Sequence, residues 1–183
     1  MTLRRYAHRF GGSGTIVTLA DGRACTAAHC IAAADGLRGT LIASGHAVWR
    51  VERRWSPARR DLALLVAETP RPRRSRIVWA PRALLRRGVR VAIAAWTGRR
   101  FAWRAAIVRE VTRDGFVADL EGRAGVRPGD SGGAVIVGST LVGVVTHRTG
   151  RAVSAEAAAS VRGARVDTPD VRLALARLRR RAS

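Results

Sequence analysis

The sequence predicts an all-β fold, either a sandwich or a barrel, that ends in one C-terminal α-helix. Nine short apolar runs support this prediction, at residues 14–20, 39–45, 46–55, 61–67, 89–96, 101–111, 115–121, 134–138 and 140–146. They are separated by glycine, aspartate and arginine, a spacing typical of short antiparallel strands. A chain of 183 residues is long enough to bury a core as one domain or as two small packed ones.

A proline- and arginine-rich stretch at residues 68–88 interrupts the strand pattern and is interpreted as a linker between two halves. We expect a first β unit at residues 11–75, a linker at 76–88, a second β unit at 89–166 and a helix at 167–183. Together these parts would form a single domain.

The last residues of the chain have the pattern of an amphipathic helix. Asp167 or Thr168 can cap it, and Pro169 stands where its missing N–H has no helical partner to lose. An apolar face at helical spacing follows, made of Val171, Leu175 and Leu178. The alternative is a free basic tail.

The charge of the chain is strongly one-sided, with 34 basic residues against 13 acidic ones and a formal net charge of +21. All the basic residues are arginine, a usage that a GC-rich genome produces, so the preference for arginine over lysine says little about function. The positive excess does predict nonspecific attraction to polyanions. Because the arginines are spread along the chain without a nucleic-acid-binding motif, we interpret this attraction as a secondary property.

The sequence contains no apolar stretch of the length expected for a transmembrane helix. Residues 1–10 begin with positive charge but lack the apolar segment of a secretory signal. We therefore expect the protein to act inside the cell, to be exported by another route, or to be released from a precursor. The sequence defines no oligomeric state.

Residues 125–138, GVRPGDSGGAVIVG, place one serine among glycines just before an apolar strand. A serine becomes a nucleophile when a base takes its proton and backbone N–H groups stabilise the oxyanion. Glycine permits the tight turn that this requires. Ser131 is thus a candidate nucleophile, Gly129 and Ser131 are candidate oxyanion donors, and Asp130 supports the turn. The alternative is a surface turn without a catalytic role.

Two other positions offer the histidine base and the orienting carboxylate that a serine nucleophile needs. His29 ends the apolar run in TAAHC, where a strand would deliver it to the rim of a cleft, and Asp61 opens the apolar strand DLALL. Taken singly, His29 could be a partly buried structural histidine and Asp61 a solubilising residue at a strand end. The order histidine, aspartate, serine favours a shared role.

TAAHC, DLALL and GDSGG, in this order, resemble the chymotrypsin-like (trypsin-like) serine peptidases of bacterial type, from about residue 11 to the C-terminal helix. The resemblance implies two six-stranded antiparallel β-barrels with the active site between them. It implies His29 as general base and acid, Asp61 as its orienting partner and Ser131 as acyl-forming nucleophile. It also implies an oxyanion hole from the amides of Gly129 and Ser131, a polypeptide substrate, and no metal or cofactor.

The resemblance also indicates what the primary substrate pocket holds. Gly125 lies six residues before Ser131, where trypsin-type enzymes have an aspartate that binds arginine or lysine. The uncharged Gly125 argues against that preference, and Val126 would make the pocket wall apolar.

TLVGVVTHRTG resembles the family strand that runs along the substrate backbone. The resemblance implies that the Thr146 hydroxyl bonds Asp61 and that His147 and Arg148 lie beside the pocket. Their charge makes an acidic substrate side chain conceivable, whereas Arg148 could instead cross the pocket and shrink it. We expect small or apolar side chains first and acidic ones second.

The cysteines and the acid before the serine depart from the family pattern. Family members commonly join the cysteine after the base histidine to one on the preceding strand, but Gly14 stands near that place. A Cys25–Cys30 disulfide is possible in principle, yet an extended strand would direct Cys25 away, so we expect two buried thiols. No activation sequence is visible, and Asp130 is therefore expected to pair with an internal group such as an arginine.

Two other functional classes remain open. A catalytically impaired trypsin-like fold could act as a basic polyanion-binding or scaffold module if its pocket were blocked or the Asp130 contact failed. An esterase of the α/β-hydrolase type also contains G-x-S-x-G, but it places the serine before its acid and histidine. Ser131 comes last, so the chain order favours the peptidase.

Overall fold

The protein is almost entirely β-structured in the part of the chain that its computed structural model describes. That part comprises residues 2–7, 13–19, 23–34, 41–44, 47–54, 59–67, 77–96, 101–122, 126, 130–149 and 160–179. Within these ranges lie 13 strands, one 3₁₀ segment and one α-helix. The all-β class and the C-terminal helix expected from the sequence are confirmed. No described helix has the length and apolar character needed to cross a membrane.

The first half of the chain forms a six-stranded sheet in which every pairing is antiparallel. Its strands are β1 (Thr2–Ala7), β2 (Ser13–Thr18), β3 (Arg23–Thr26), β4 (Leu41–Ser44), β5 (Ala47–Arg54) and β6 (Ala63–Ala67). Their spatial order is β1-β2-β3-β6-β5-β4. The edge strands β1 and β4 contact each other, so the sheet curls round on itself. Strand β1 was not predicted from the sequence.

The second half forms a ring of six antiparallel strands with one short strand outside it. These are β7 (Val78–Trp79), β8 (Arg90–Trp96), β9 (Phe101–Val111), β10 (Gly115–Leu120), β11 (Ala134–Val137), β12 (Thr140–Thr149) and β13 (Ser160–Arg165). The ring runs β11-β8-β9-β10-β13-β12 and closes through hydrogen bonds between β12 and β11. β7 pairs in parallel with β12, so the stretch interpreted as a linker also contributes a strand.

Three apolar clusters form the core. The cluster inside the first half includes Ile16, Val51 and Leu65, and the cluster inside the second half includes Ile93, Val108 and Val135. The third joins residues of both halves and of the helix, among them Leu64, Leu141, Val171 and Leu175. Burying these apolar side chains together stabilises the two halves against each other.

Helix α1 (Pro169–Arg179) lays an apolar face on the shared cluster through Val171, Ala174 and Leu175. The carbonyl of Thr168 accepts the Arg172 N–H at 3.0 Å, which gives Thr168 the N-cap position. Asp167, the other predicted cap, instead accepts the backbone N–H groups of Leu84 and Leu85 at 2.8 and 3.0 Å. The side chain of Leu178, expected on the apolar face, is outside the described residues.

Both cysteines are free thiols in buried positions, as expected. Cys25 belongs to the shared cluster, where burial raises the pKa of its thiol well above the usual range. Cys30 lies in the cluster of the first half, next to His29 in sequence.

Candidate active site

Strand register in the first half brings His29 and Asp61 together. In the antiparallel pair β3–β6, Thr26 lies opposite Ala63. His29 follows Thr26 by three residues and Asp61 precedes Ala63 by two, so both leave the same end of the pair. The sequence suggested that His29 lies at the end of a strand. In the structure it lies in the 3₁₀ segment Ala28–Ala34.

Asp61 holds His29 through both of its carboxylate oxygens. The Nδ1–H of the imidazole donates to Oδ2 at 2.7 Å, and the backbone N–H of His29 donates to Oδ1, also at 2.7 Å. The Asp61 backbone has a φ of 28°, in the region that only glycine adopts freely. Such a conformation costs about 1 kcal/mol or more and aims the carboxylate at the ring.

The environment of His29 favours its protonated form. Its pKa is raised from 6.5 to about 10, first by the hydrogen bond to Asp61 and next by the Cys30 thiol. Partial burial acts in the opposite direction but is the weaker influence. The Asp61 carboxylate therefore stabilises the imidazolium that a general base becomes after it accepts a proton.

Ser131 lies on a tight turn that both halves of the molecule hold. The carbonyl of the buried Asp130 accepts the Gly133 N–H at 2.8 Å, which closes the turn around the serine. The N–H of Thr15, in the first half, donates to the Ser131 carbonyl at 2.7 Å. The serine backbone is thus fixed beside the half that carries His29.

The side chains of His29 and Ser131 are not hydrogen-bonded to each other, although both belong to the described part of the chain. Ser131 Oγ donates to the carbonyl of Thr146 at 3.2 Å. The thiol of Cys30 lies 3.5 Å from His29 Nε2, the ring nitrogen opposite the one that bonds Asp61. The structure therefore joins two of the three candidate catalytic side chains directly.

The prediction that the Thr146 hydroxyl bonds Asp61 is wrong. Thr146 Oγ1 donates to the carbonyl of Arg162 at 3.3 Å. β12 pairs with β13 around this point, and the irregular register between Val145 and His147 turns the hydroxyl towards that strand.

His147 lies beside the candidate catalytic pair. Its Nδ1 is 3.8 Å from Asp61 Oδ2, and its ring centroid is 5.2 Å from that of His29, with the planes tilted by 37°. The side chain is 60% exposed, against 35% for His29 and 6% for Asp61. The sequence analysis placed His147 beside the substrate pocket but did not predict its contacts with Asp61 and His29.

The other pocket residues are partly described. Val126 is buried within the apolar cluster of the second half. Arg148 lies on β12, but its side chain is outside the described residues, as are the whole of Gly125 and Gly129.

Arg60 is a residue near the site that sequence reasoning missed. Its guanidinium is only 2% exposed and forms ion pairs with Asp170 of α1, at 2.5 Å, and with Asp114 of the second half. Arg60 directly precedes Asp61, so these pairs anchor the turn that carries the carboxylate. The Arg-Arg-Asp sequence before an apolar strand was the available signal, but it does not indicate which acids the arginine meets.

Comparison with known proteins agrees with this architecture. The trypsin-like peptidase domain matches residues 12–144. The inactive form of the Rv3671c protease of M. tuberculosis is 23% identical over 94% of this chain and 86% of its own, with a TM-score of 0.59. Cellulomonas bogoriensis chymotrypsin is 16% identical over 87% and 86%, with a TM-score of 0.62. These likenesses establish the chymotrypsin fold. No curated protein sequence matches the chain. The chain belongs to the trypsin-like peptidase family.

Proposed function

We propose that the protein is a serine endopeptidase that hydrolyses peptide bonds through His29, Asp61 and Ser131. The observation that carries the proposal is the pair of 2.7 Å hydrogen bonds from His29 to Asp61. A carboxylate on Nδ1 fixes the tautomer in which Nε2 has a lone pair and can accept a proton. Membership of the trypsin-like peptidase family supports the same chemistry.

The catalytic arrangement requires one movement of the serine side chain. Its hydroxyl donates to the Thr146 carbonyl at 3.2 Å, which is long for an O–H···O bond and therefore weak. Rotation about the Cα–Cβ bond would release this contact and leave Oγ available to His29 Nε2. A neutral hydrogen bond contributes only about 1 kcal/mol net, so a bound substrate can compensate for its loss.

The reaction then follows from the chemistry of the three groups. Ser131 Oγ attacks the scissile carbonyl while His29 Nε2 takes its proton, and Asp61 stabilises the resulting imidazolium. The amides of Ser131 and Gly129 stabilise the oxyanion. His29 next gives the proton to the leaving amine, and a water molecule, activated by the same ring, releases the acyl group from Ser131.

The primary pocket is proposed to take small or apolar side chains first and acidic ones second, rather than arginine or lysine. The proposal rests on the uncharged Gly125, which the family resemblance assigns to the pocket base, and on the positive charge that Arg148 would bring to the entrance. Cleavage of a peptide library should therefore follow small or apolar residues. Preferred cleavage after arginine would contradict this specificity.

A fluorophosphonate reagent tests the nucleophile directly, because it forms a covalent bond with an activated serine. We expect labelling of Ser131 in the unmodified protein and none in Ser131→Ala. The same variant should lose about 10⁶-fold in kcat, as removal of a triad member does elsewhere. Ser139→Ala is the matched control, since Ser139 is an exposed serine on the next turn and should keep labelling and activity. A label on another residue would contradict the proposed role of Ser131.

A group of exposed arginines favours a second candidate function, a basic module that binds polyanions. Arg82, Arg86, Arg87 and Arg90 line one open surface cavity of about 850 Å³ in the second half. Their charge would attract phosphate groups in a salt-dependent way. If Ser131 resists labelling while a DNA column retains the folded protein at low salt, the module becomes the better description.

A further inference from the structure

His147 completes a cluster of three side chains that carry metal-binding atoms. The ligand atoms of His29, Asp61 and His147 all lie within 4.8 Å of one another. Two of the separations are 2.7 Å from His29 Nδ1 to Asp61 Oδ2 and 3.8 Å from His147 Nδ1 to the same oxygen. The Asp61 oxygen is thus the shared centre of the cluster.

Two imidazole nitrogens and one carboxylate oxygen are a donor set that suits zinc. Calcium and magnesium prefer oxygen ligands alone, whereas Zn²⁺ binds imidazole and carboxylate in tetrahedral sites. With ligands at about 2.0–2.2 Å, neighbouring donors of a tetrahedral zinc lie about 3.3 Å apart. The 2.7 and 3.8 Å separations lie on either side of that value, so shifts of about half an ångström would correct these two. The two imidazole ligand atoms lie within 4.8 Å of each other, so closing that separation to the tetrahedral value requires a shift of at most about 1.5 Å, which the exposed His147 ring can supply.

The surroundings of the cluster allow an ion to enter and to be held. Asp61 is almost fully buried and is fixed by the backbone N–H of His29, as metal-binding carboxylates usually are by an outer hydrogen bond. His147 lies on the solvent side and is 60% exposed, so it can adjust its ring. Three protein ligands leave a fourth position for water.

We propose that His29, Asp61 and His147 form a zinc-binding site, and that zinc bound there reversibly inhibits the protein. The inhibition rests on the proposed peptidase function, whereas the binding does not. The catalytic reaction itself needs no metal, so the ion is a regulator and not a cofactor.

The inhibition follows from which nitrogen of the His29 ring carries a proton when zinc is bound. Zinc takes the lone pair of Nδ1, the atom that otherwise carries the proton shared with Asp61. The neutral ring then holds its single proton on Nε2, and a protonated ring loses its Nδ1 proton to water. In both cases Nε2 carries N–H and has no lone pair for the proton of Ser131. The base is blocked without any contact between zinc and the serine.

Binding is tested first, independently of activity, by calorimetric titration of Ser131→Ala with zinc chloride. We expect one zinc per chain. His147→Phe, which keeps an aromatic ring beside His29 but offers no ligand, should weaken binding at least about tenfold. His147→Cys, which restores a zinc ligand, should bind zinc more tightly than His147→Phe does. Equal affinity in all three proteins would overturn the site.

The thiol of Cys30 provides a second check on the ligand set, because it lies on the opposite ring nitrogen, Nε2. Combined with Ser131→Ala, Cys30→Ser should retain the zinc affinity of Ser131→Ala alone. A loss of affinity would assign the ion to Nε2 and the thiol, and would overturn the proposed set. Circular dichroism of each variant establishes that it is folded.

Inhibition is tested last, in proteins that retain Ser131. Hydrolysis of a labelled protein substrate should fall as free zinc rises and recover when EDTA is added. Each variant is compared with its own metal-free rate, and His147→Phe should require at least about tenfold more zinc. Full activity at zinc concentrations that saturate the site would overturn the inhibition. Zinc binding through His147 in a protein that never hydrolyses a substrate would reject the peptidase function and retain the site.

Discussion

At the scale of single residues, Asp61 controls both the position and the protonation of His29. One carboxylate oxygen accepts the ring N–H and the other accepts the backbone N–H. The first contact is the largest of the influences that together raise the pKa of the imidazole from 6.5 to about 10, and the Cys30 thiol is the next. A ring with a raised pKa stays protonated over a wider pH range, and a protonated ring cannot accept the serine proton.

We therefore predict that kcat/KM rises with pH, with a midpoint above pH 6.5. Asp61→Asn removes the negative charge that favours the imidazolium, so the midpoint should move to lower pH while kcat falls about 10⁴-fold. Initial rates across a pH series measure both effects. A wild-type midpoint at or below pH 6.5 would show that Asp61 does not raise the pKa of the base in the free enzyme.

Gly132 is a second residue whose identity the structure requires. It has a φ of +85°, and a Cβ there would lie 2.0 Å from the Thr15 carbonyl oxygen and 2.3 Å from Thr26 Oγ1. Both neighbours belong to the first half, so any side chain at this position would push the halves apart.

We predict that Gly132→Ala lowers the free energy of unfolding more than Gly88→Ala does. Gly88 has a similar φ of +82° but no atom within 4 Å of an added Cβ, so it isolates the backbone strain, about 1 kcal/mol. The clash at Gly132 should add about 1–3 kcal/mol to that strain. Urea unfolding of the two variants measures the difference. Equal losses of unfolding free energy in the two variants would mean that the structure around Gly132 accommodates a Cβ without a clash.

At the scale of secondary-structure elements, Arg60 joins the turn before β6 to α1 and to the loop between β9 and β10. Its buried guanidinium bonds Asp170 at the start of the helix and Asp114 in the second half. Three elements that are distant in sequence therefore meet at the residue next to Asp61.

We predict that Arg60→Met destabilises the protein by about 1–3 kcal/mol, because it removes the buried cation that pairs with Asp170 and leaves Asp114 only the exposed Arg59. Arg59→Met is the matched control. Arg59 is 65% exposed, its Nε lies 3.8 Å from the same Asp114, and such exposed pairs contribute less than about 1 kcal/mol. Thermal unfolding at moderate salt compares the two. A larger loss in Arg59→Met would show that burial of Arg60 is not what makes its ion pairs strong.

At the scale of the whole molecule, the shared apolar cluster predicts that the two halves unfold together. Cys25 is fully buried in this cluster and belongs to the first half. In increasing urea, its reaction with a thiol reagent should rise over the same range in which the β-sheet circular dichroism is lost, as in a cooperative transition. Cys30→Ser serves as the background, so that only Cys25 is followed. Thiol exposure well before the loss of sheet signal would indicate separate unfolding.

The sequence predicted the features that local patterns encode. Apolar runs indicated most strands, and His29, Asp61 and Ser131 each lie in a short sequence with its own chemical character. Strands β1, β7 and β13 were missed. β7 has only two residues, and the sequences of β1 and β13, TLRRYA and SVRGAR, lack an apolar run. The Arg60 ion pairs span 54 and 110 positions of sequence, a separation at which no local pattern identifies the partner. The contact between His147 and Asp61 was not predicted for the same reason.

The hydrogen bond from the Thr15 amide to the Ser131 carbonyl has a consequence for motion. A hinge opening between the halves would have to break this bond, since it joins the first half to the second. Ser131, the proposed nucleophile, is therefore tied to β2, which pairs with β3, the strand that leads to His29. The position of the serine relative to the histidine then does not depend on the two halves closing around a substrate. Regulation of the proposed peptidase activity would then act on side chains between the two halves rather than on the angle between the halves.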